Sequence, residues 1–373
     1  MKTRKRPASG YQEGTRKRQR TSQTKPCNIS GDFVRVGKRK RKAAKNGGRQ
    51  MKRQRVSDLK QYKEERGDAT SSSLEAATLR KEKKDSGVKQ RDNNTPFTSE
   101  DTSRQQFEVK YHQLNLLGEG GHGFVYAGYR KVDNFPVAIK HIPRDNVICK
   151  HIIQNSRTLP LEVAVMRKMV SGAAGSVGKS AAISLLDYYD LDQELILVLE
   201  RPVPSTDLLK YIEIKGGSLQ ENEARLLLKQ LVEAARELKS KNIFHRDIKV
   251  ENILIETSTD VPRLRLIDFG LSCFTKKTST YRIFYGTSAH IPPEWYRCGT
   301  YRAGPATVWQ LGLVLYDMLH RDTCFETMRF LSNELKISDE LSQNCQDVLR
   351  LCLAEDPQQR PSLEQLRLHP WLA

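Results

Sequence analysis

His245-Arg246-Asp247-Ile248-Lys249-Val250-Glu251-Asn252, with Asp268-Phe269-Gly270 following 21 positions after Asp247, decides how this 373-residue chain is read. A carboxylate, a lysine two residues on and an amide five residues on serve one reaction when they share a loop. Asp247 can accept the proton of an alcohol, Lys249 can neutralise a phosphoryl group in transit, and Asn252 can ligate magnesium. Asp268 adds a carboxylate ligand for a metal that bridges phosphates. A lone Asp-Phe-Gly carries no information. Directly after the apolar run Leu264–Ile267, and at this distance from the octapeptide, it carries a great deal.

Upstream, Leu117-Gly118-Glu119-Gly120-Gly121-His122-Gly123-Phe124-Val125 contains G-x-G-x-x-G-x-V. Glycines let backbone N–H groups approach phosphate oxygens. The same glycine pattern also opens dinucleotide folds, but there it must lead into a helix, whereas Phe124–Gly128 reads as a strand. Val137-Ala138-Ile139-Lys140 then ends a short β-branched strand in a lysine, suited to the α- and β-phosphates when a helix carboxylate steadies it. Glu162 is that carboxylate: it interrupts the inward-looking run Leu161–Met166, where an acid without a partner is costly. Downstream, Pro292-Pro293-Glu294 closes the segment after Asp268, and Arg360 is its expected ion-pair partner.

The periodicities around these motifs divide the chain. Strands are expected at Tyr111–Leu117, Phe124–Tyr129, Phe135–Ile142 and Leu195–Glu200, with a helix at Pro160–Val170. Ser218 with Glu221 reads as a capping box opening a helix whose apolar face runs from Ala224 to Leu238. Ala306–Leu319 is apolar on nearly every side and reads as a helix inside a large core. The fold class is therefore α+β, with a mostly β front lobe and a mostly α back lobe.

Taken in this order, the motifs resemble the eukaryotic protein kinase fold, and Lys249 resembles its serine/threonine branch. The resemblance narrows to the Pim kinases on four stretches: Leu199–Leu208 (LERPVPSTDL), His245–Leu254 (HRDIKVENIL), Ile291–Trp295 (IPPEW) and Val308–Met318 (VWQLGLVLYDM). It implies a catalytic domain over 106–373, with an N-lobe over about 106–199, a hinge at 200–206 and a C-lobe over 207–373. The implied activity is transfer of the γ-phosphoryl group of ATP to Ser/Thr hydroxyls of proteins, with Mg2+ as cofactor. The implied nucleotide-binding residues are Leu117 to Val125, Ala138, Lys140, Leu199 and Glu200, with Asp247, Lys249, Lys140 and Glu162 catalytic and Asn252 and Asp268 on the metal. Pro204 has no N–H, so adenine recognition at the hinge leans on the Glu200 carbonyl. Asp207, Glu251 and Glu326 match acidic positions that read arginines upstream of the target residue. Lys210, Val203, Val250, Arg282 and Tyr285 stand where acids are common, so a weaker or altered arginine preference is expected. Thr307 occupies a place where most kinases, though not the Pim kinases, carry an aspartate. Activity without phosphorylation of the activation segment is also implied.

The net charge of +19 is uneven. Residues 1–55 carry 20 basic side chains against two acids, whereas residues 101–373 carry 34 against 33. The segment 1–105 lacks sustained apolar periodicity apart from a weak helical pattern at Ser73–Lys84, and is expected to be a disordered basic tail. Its clusters Arg4-Lys5-Arg6, Arg16-Lys17-Arg18 and Lys38-Arg39-Lys40-Arg41-Lys42 suit nuclear import receptors, non-specific phosphate contact or plain solvation. Import is the favoured reading, which places the protein in cytoplasm and nucleus. The clusters themselves contain no aromatic residue on which bases could stack, so no specific nucleic-acid partner is expected. No apolar run reaches membrane-spanning length, so no membrane is expected either, and a monomer is. Seven scattered cysteines without CxxC spacing indicate free thiols, with Cys345 and Cys352 facing a core. The competing functions are a pseudokinase scaffold, opposed by the complete catalytic set, and a nucleic-acid binder, opposed by the near-neutral domain.

Overall fold

The strand-forming sequences assemble into a five-stranded antiparallel sheet in the computed structural model. It describes residues 99–120, 123–147, 150–152, 158–170, 180–321 and 323–373. The strands are β1 (Tyr111–Gly120), β2 (Gly123–Arg130), β3 (Phe135–Pro143), β4 (Leu185–Asp190) and β5 (Glu194–Glu200), in the order β1-β2-β3-β5-β4. β3 lies at the centre of the sheet, and Val137 and Ile139 are fully buried in it. The helix α2 (Leu161–Val170) packs against β4 through its apolar positions, and Val163, Val165 and Met166 are buried. That placement carries Glu162 towards β3.

Behind the sheet, α3 (Leu208–Ile214), α4 (Glu221–Ser240), α5 (Pro293–Cys298), α6 (Ala303–Leu319), α7 (Thr327–Leu331), α8 (Gln343–Cys352) and α9 (Leu363–Arg367) form the helical lobe. α6 is buried along almost its whole length, from Ala306 through Tyr316 to Leu319, as its unbroken apolar sequence requires. α4 and α8 pack on it, and α9 packs on α4. Cys345 and Cys352 face this core with no exposure, and burial pushes each thiol up to about 12. A small sheet, β6 (Ser205–Asp207), β7 (Ile253–Glu256) and β8 (Arg263–Leu266), lies in the order β8-β7-β6. The two-strand ladder Ile243–Phe244 with Cys273–Phe274 anchors the catalytic loop.

Two expectations need correction. Order begins before residue 106: α1 spans Ser99–Lys110 and joins the domain. Phe107 is buried against Tyr111 and Tyr189, and Lys110 pairs with Asp187 at 3.0 Å. Apart from Phe107 the helix has only the exposed Val109 as an apolar residue, so it left no periodic signal. The capping box is also absent. Gln220 is the N-cap of α4 and makes no side-chain cap, while Glu221 accepts from the Ser342 amide and hydroxyl, each at 2.6 Å. A tertiary partner took the carboxylate that the local pattern assigned to its own helix end. The expected tail over 1–98, Gly121, His122 and Cys149 lie outside the described residues.

Candidate active site

The strand β3 delivers Lys140 to the interior, 6 % exposed, between two carboxylates. Its Nζ lies 2.9 Å from Glu162 Oε1 and 2.8 Å from Asp268 Oδ1. Burial alone pulls the ammonium down, but Glu162 and Asp268 outweigh it and hold the group above its ordinary value. Lys140 is thus a fixed cation, and the carboxylate expected to steady it does so.

Glycine chemistry shapes the roof. β1 and β2 meet at Gly120 opposite Gly123. Gly123 has φ +132, and a Cβ there would fall 1.9 Å from the His141 carbonyl oxygen, so the hairpin needs glycine. Gly118 and Gly120 face open space that a side chain would otherwise enter. Beneath them Ala138 pairs across the sheet with Leu199, and Glu200 ends β5 at the linker to the helical lobe. Leu117, Glu119 and Phe124 are exposed, while Val125, Ala138 and Leu199 are half-buried.

The catalytic loop turns sharply at Arg246, φ +75, and presents Asp247, 9 % exposed. Asp247 Oδ1 accepts from the Thr287 amide at 2.9 Å and from its hydroxyl at 2.8 Å. Oδ2 accepts from Asn252 Nδ2 at 3.1 Å and faces Lys249 Nζ at 3.6 Å. Asn252 Nδ2 also donates to the Asp247 carbonyl at 2.9 Å. Asp268 sits at φ +59, a strained position for a residue with a side chain, with the Gly270 amide on its Oδ1. His245 packs at a tilt against Phe269 with centroids 4.9 Å apart. Its Nε2 donates to the Ile267 carbonyl at 3.2 Å, and burial lowers its basicity against the pull of Asp268 and Asp247.

The structure therefore gathers Lys140, Glu162 and Asp268 into one ion-paired group and Asp247, Asn252 and Lys249 into a second. The Ile267 amide, next to Asp268, ties the two by donating to the Asn252 carbonyl at 3.0 Å. Glu294 and Arg360 also meet as expected, with Nη2 to Oε2 at 2.6 Å. The three acids expected to face a substrate are less uniform. Glu251 is exposed within the turn Val250–Asn252. Asp207 caps α3 by accepting from the Lys210 amide at 2.7 Å. Glu326 precedes α7, which packs against the turn Ser288–His290. Thr287 was missed by the sequence reading. The only local sign was its place after Gly286, whose φ of +138 and missing Cβ let the segment approach the Arg246 carbonyl.

No group of three or more His, Cys, Asp or Glu that could hold a metal occurs among the described residues. The donors at the site are one carboxylate, Asp268, and one amide, Asn252. That sparse set fits a cation that takes its remaining ligands from phosphates and water. The open space above Gly118 and Gly120 and the buried Lys140 ammonium fit a polyphosphate.

This fold and constellation define a protein kinase, and the protein kinase domain family matches residues 111–372. The serine/threonine-protein kinase pim-2 of Danio rerio is 39 % identical over 272 residues, covering 72 % of this chain and 86 % of that protein. The serine/threonine-protein kinase prk-2 of Caenorhabditis elegans is 35 % identical over 273 residues, covering 72 % of this chain and 59 % of that protein. A PAS domain-containing serine/threonine-protein kinase of Mus musculus is 30 % identical over 274 residues, 72 % of this chain but 19 % of its own. The chain belongs to the protein kinase family as a Pim-like serine/threonine kinase.

Proposed function

We propose that the chain transfers the γ-phosphoryl group of ATP to Ser and Thr hydroxyls through the residues just described, and that it does so without a phosphate on its activation segment. Magnesium, held by Asp268 and Asn252, would neutralise phosphate charge and orient the β- and γ-groups. Lys140 fixes the α- and β-phosphates. Asp247, aimed by Thr287 and Asn252, accepts the hydroxyl proton as the substrate oxygen bonds to the γ-phosphorus. The bond from that phosphorus to the bridging oxygen breaks and ADP leaves. Lys249 offsets the charge in transit.

The observation that carries the second half is the environment of Arg246. Its guanidinium lies over two tyrosine rings of the activation segment, 5.0 Å from the Tyr281 centroid and 4.9 Å from that of Tyr285. Nη1 also donates to the Leu271 carbonyl at 3.3 Å. The backbone of Tyr281 pairs with that of Tyr301 in both directions, at 2.9 and 3.0 Å. Two cation–π contacts thus place the arginine against the segment with no added anion. Protein shown by mass spectrometry to be phosphate-free over 268–294 should turn over within about threefold of untreated protein. Loss of turnover on dephosphorylation would refute this part.

Substrate selection follows from charge. Asp207 is half engaged as a helix cap, and Lys210, Val203, Val250, Arg282 and Tyr285 bring no negative charge to the cleft, so upstream arginines are favoured only weakly. A positional peptide library that selects several upstream arginines strongly would contradict this. The basic clusters of residues 1–55 serve nuclear import, giving a protein shared between cytoplasm and nucleus that acts as a monomer. Unchanged nuclear distribution after deletion of residues 1–55 would end the import reading.

A further inference from the structure

Arg265 stands on β8, three residues before Asp268, and is fully buried. Its guanidinium joins three chain segments. Nη1 and Nη2 grip the Glu200 carboxylate at 3.1 and 2.6 Å in a bidentate pair. Nη1 also reaches Glu256 Oε1 on β7 at 2.7 Å, and Nη2 the Ala182 carbonyl at 3.2 Å. Glu200 in turn accepts from the Ser184 amide at 3.2 Å, and its own amide donates to the Ser184 carbonyl at 2.9 Å. A second arginine, Arg263, lies 3.7 Å from Glu256, so the cluster holds two carboxylates and two guanidiniums.

Glu200 is the last residue of β5 and the first of the linker between the lobes. Its side chain points into this cluster while its carbonyl is the group on which adenine recognition leans. We infer that Arg265 is a positioning residue for ATP: by gripping the Glu200 carboxylate it fixes the height and direction of the hinge carbonyl against the helical lobe. The phosphate end of the site is secured separately. Asn252 and Ile267 are joined by a backbone hydrogen bond of 3.0 Å, and Lys140 pairs with Asp268 outside the cluster. Disturbing Arg265 therefore misplaces the adenine end and spares the transfer step. A buried pair kept only for stability would be replaceable by apolar side chains of similar volume. A pair that aims a carbonyl would not.

The inference rests on the reading that adenine lies against the hinge, and wild-type protein must first bind ATP for the test to bear on it. Steady-state kinetics and thermal melts on full-length wild type, R265K, R265M and the double variant E200M/R265M separate the alternatives. R265M should raise the KM for ATP at least tenfold, leave kcat within about threefold and lower the melting temperature. In the double variant the melting temperature should recover in part, because the Glu200 carboxylate is gone and Glu256 keeps Arg263, while the raised KM persists. R265K, which keeps the charge but not the fork, should fold as wild type and show a several-fold higher KM. An unchanged KM in R265K, or recovery of KM together with stability in the double variant, would show Arg265 to be a structural plug and overturn the inference. Wild type without ATP binding would instead overturn the reading beneath it.

Discussion

Thr287 directs both of its donors at a single oxygen of Asp247, the amide at 2.9 Å and the hydroxyl at 2.8 Å, across 40 residues of chain. The other oxygen is left to Asn252 and Lys249, so the carboxylate is fixed in plane and in rotation. Two hydrogen bonds occupy Oδ1, so under the proposed mechanism the incoming hydroxyl is met by Oδ2. The contact also ties the activation segment to the catalytic loop. Catalytic geometry therefore depends on where that segment lies.

Replacing Thr287 by Val removes the hydroxyl and keeps the amide. A hydrogen bond to a charged group contributes about 1.5–3 kcal/mol, so kcat should fall about 10- to 100-fold. The KM for ATP should hold, because Thr287 touches no nucleotide-binding residue. Thr287→Ser keeps the donor and should stay within about threefold of wild type. Steady-state kinetics on a peptide substrate check both, and equal losses in the two variants would contradict the role.

Glu162→Gln leaves Lys140 with only the Asp268 carboxylate beside it. The ammonium should then follow Asp268 away from the phosphate position, lowering kcat/KM for ATP about tenfold or more. The fold should survive, since Lys140 keeps one carboxylate at 2.8 Å. Nucleotide titration alongside a thermal melt distinguishes this from unfolding.

The chemistry of the site was readable from sequence because each motif is short and each of its residues answers to a reaction step. Lys140 pairs with Glu162 and Asp268, Asp247 is bonded to Asn252, and the largely apolar α6 is buried as its composition demanded. What escaped was set by tertiary partners with no local period. α1 is held by one phenylalanine and by ion pairs to β4 and β5. Glu221 left its helix end for Ser342. Thr287 and Arg265 act through residues 40 and 65 positions away, where local pattern is silent.

Arg360 and Glu294 form a buried long-range tie in the helical lobe. The guanidinium makes two parallel bonds to the carboxylate, at 3.0 and 2.6 Å, and lies over the Trp309 ring at 4.9 Å. Further bonds to the Ala354 and Pro305 carbonyls, at 2.8 and 3.0 Å, leave the arginine side chain without exposure. Removing one partner strands a buried charge or its donors. Arg360→Met or Glu294→Gln should each cost about 3–5 kcal/mol in urea unfolding. The double variant should cost less than the sum of the two, because the stranded group is gone.

Acid sensitivity should trace in part to His320. Its Nδ1 donates to the Tyr316 carbonyl at 2.9 Å, so Nε2 carries the lone pair that accepts from the Ser338 amide at 3.0 Å. The ring also stacks 3.7 Å from Tyr316. Protonation would break the Ser338 bond. Burial lowers the group's folded pKa below the ordinary 6.5, against the opposing effect of the Tyr316 carbonyl. Between those two values the unfolded chain binds more protons than the folded one, so stability rises with pH there and is lost as pH falls below about 6.5. His245, lowered by burial in the same direction, adds to the slope. The melting temperature should fall between pH 7.5 and 5.5, and His320→Gln, which can donate and accept without titrating, should flatten that fall. An unchanged slope in the variant would assign the acid sensitivity to His245 and the remaining titrating groups.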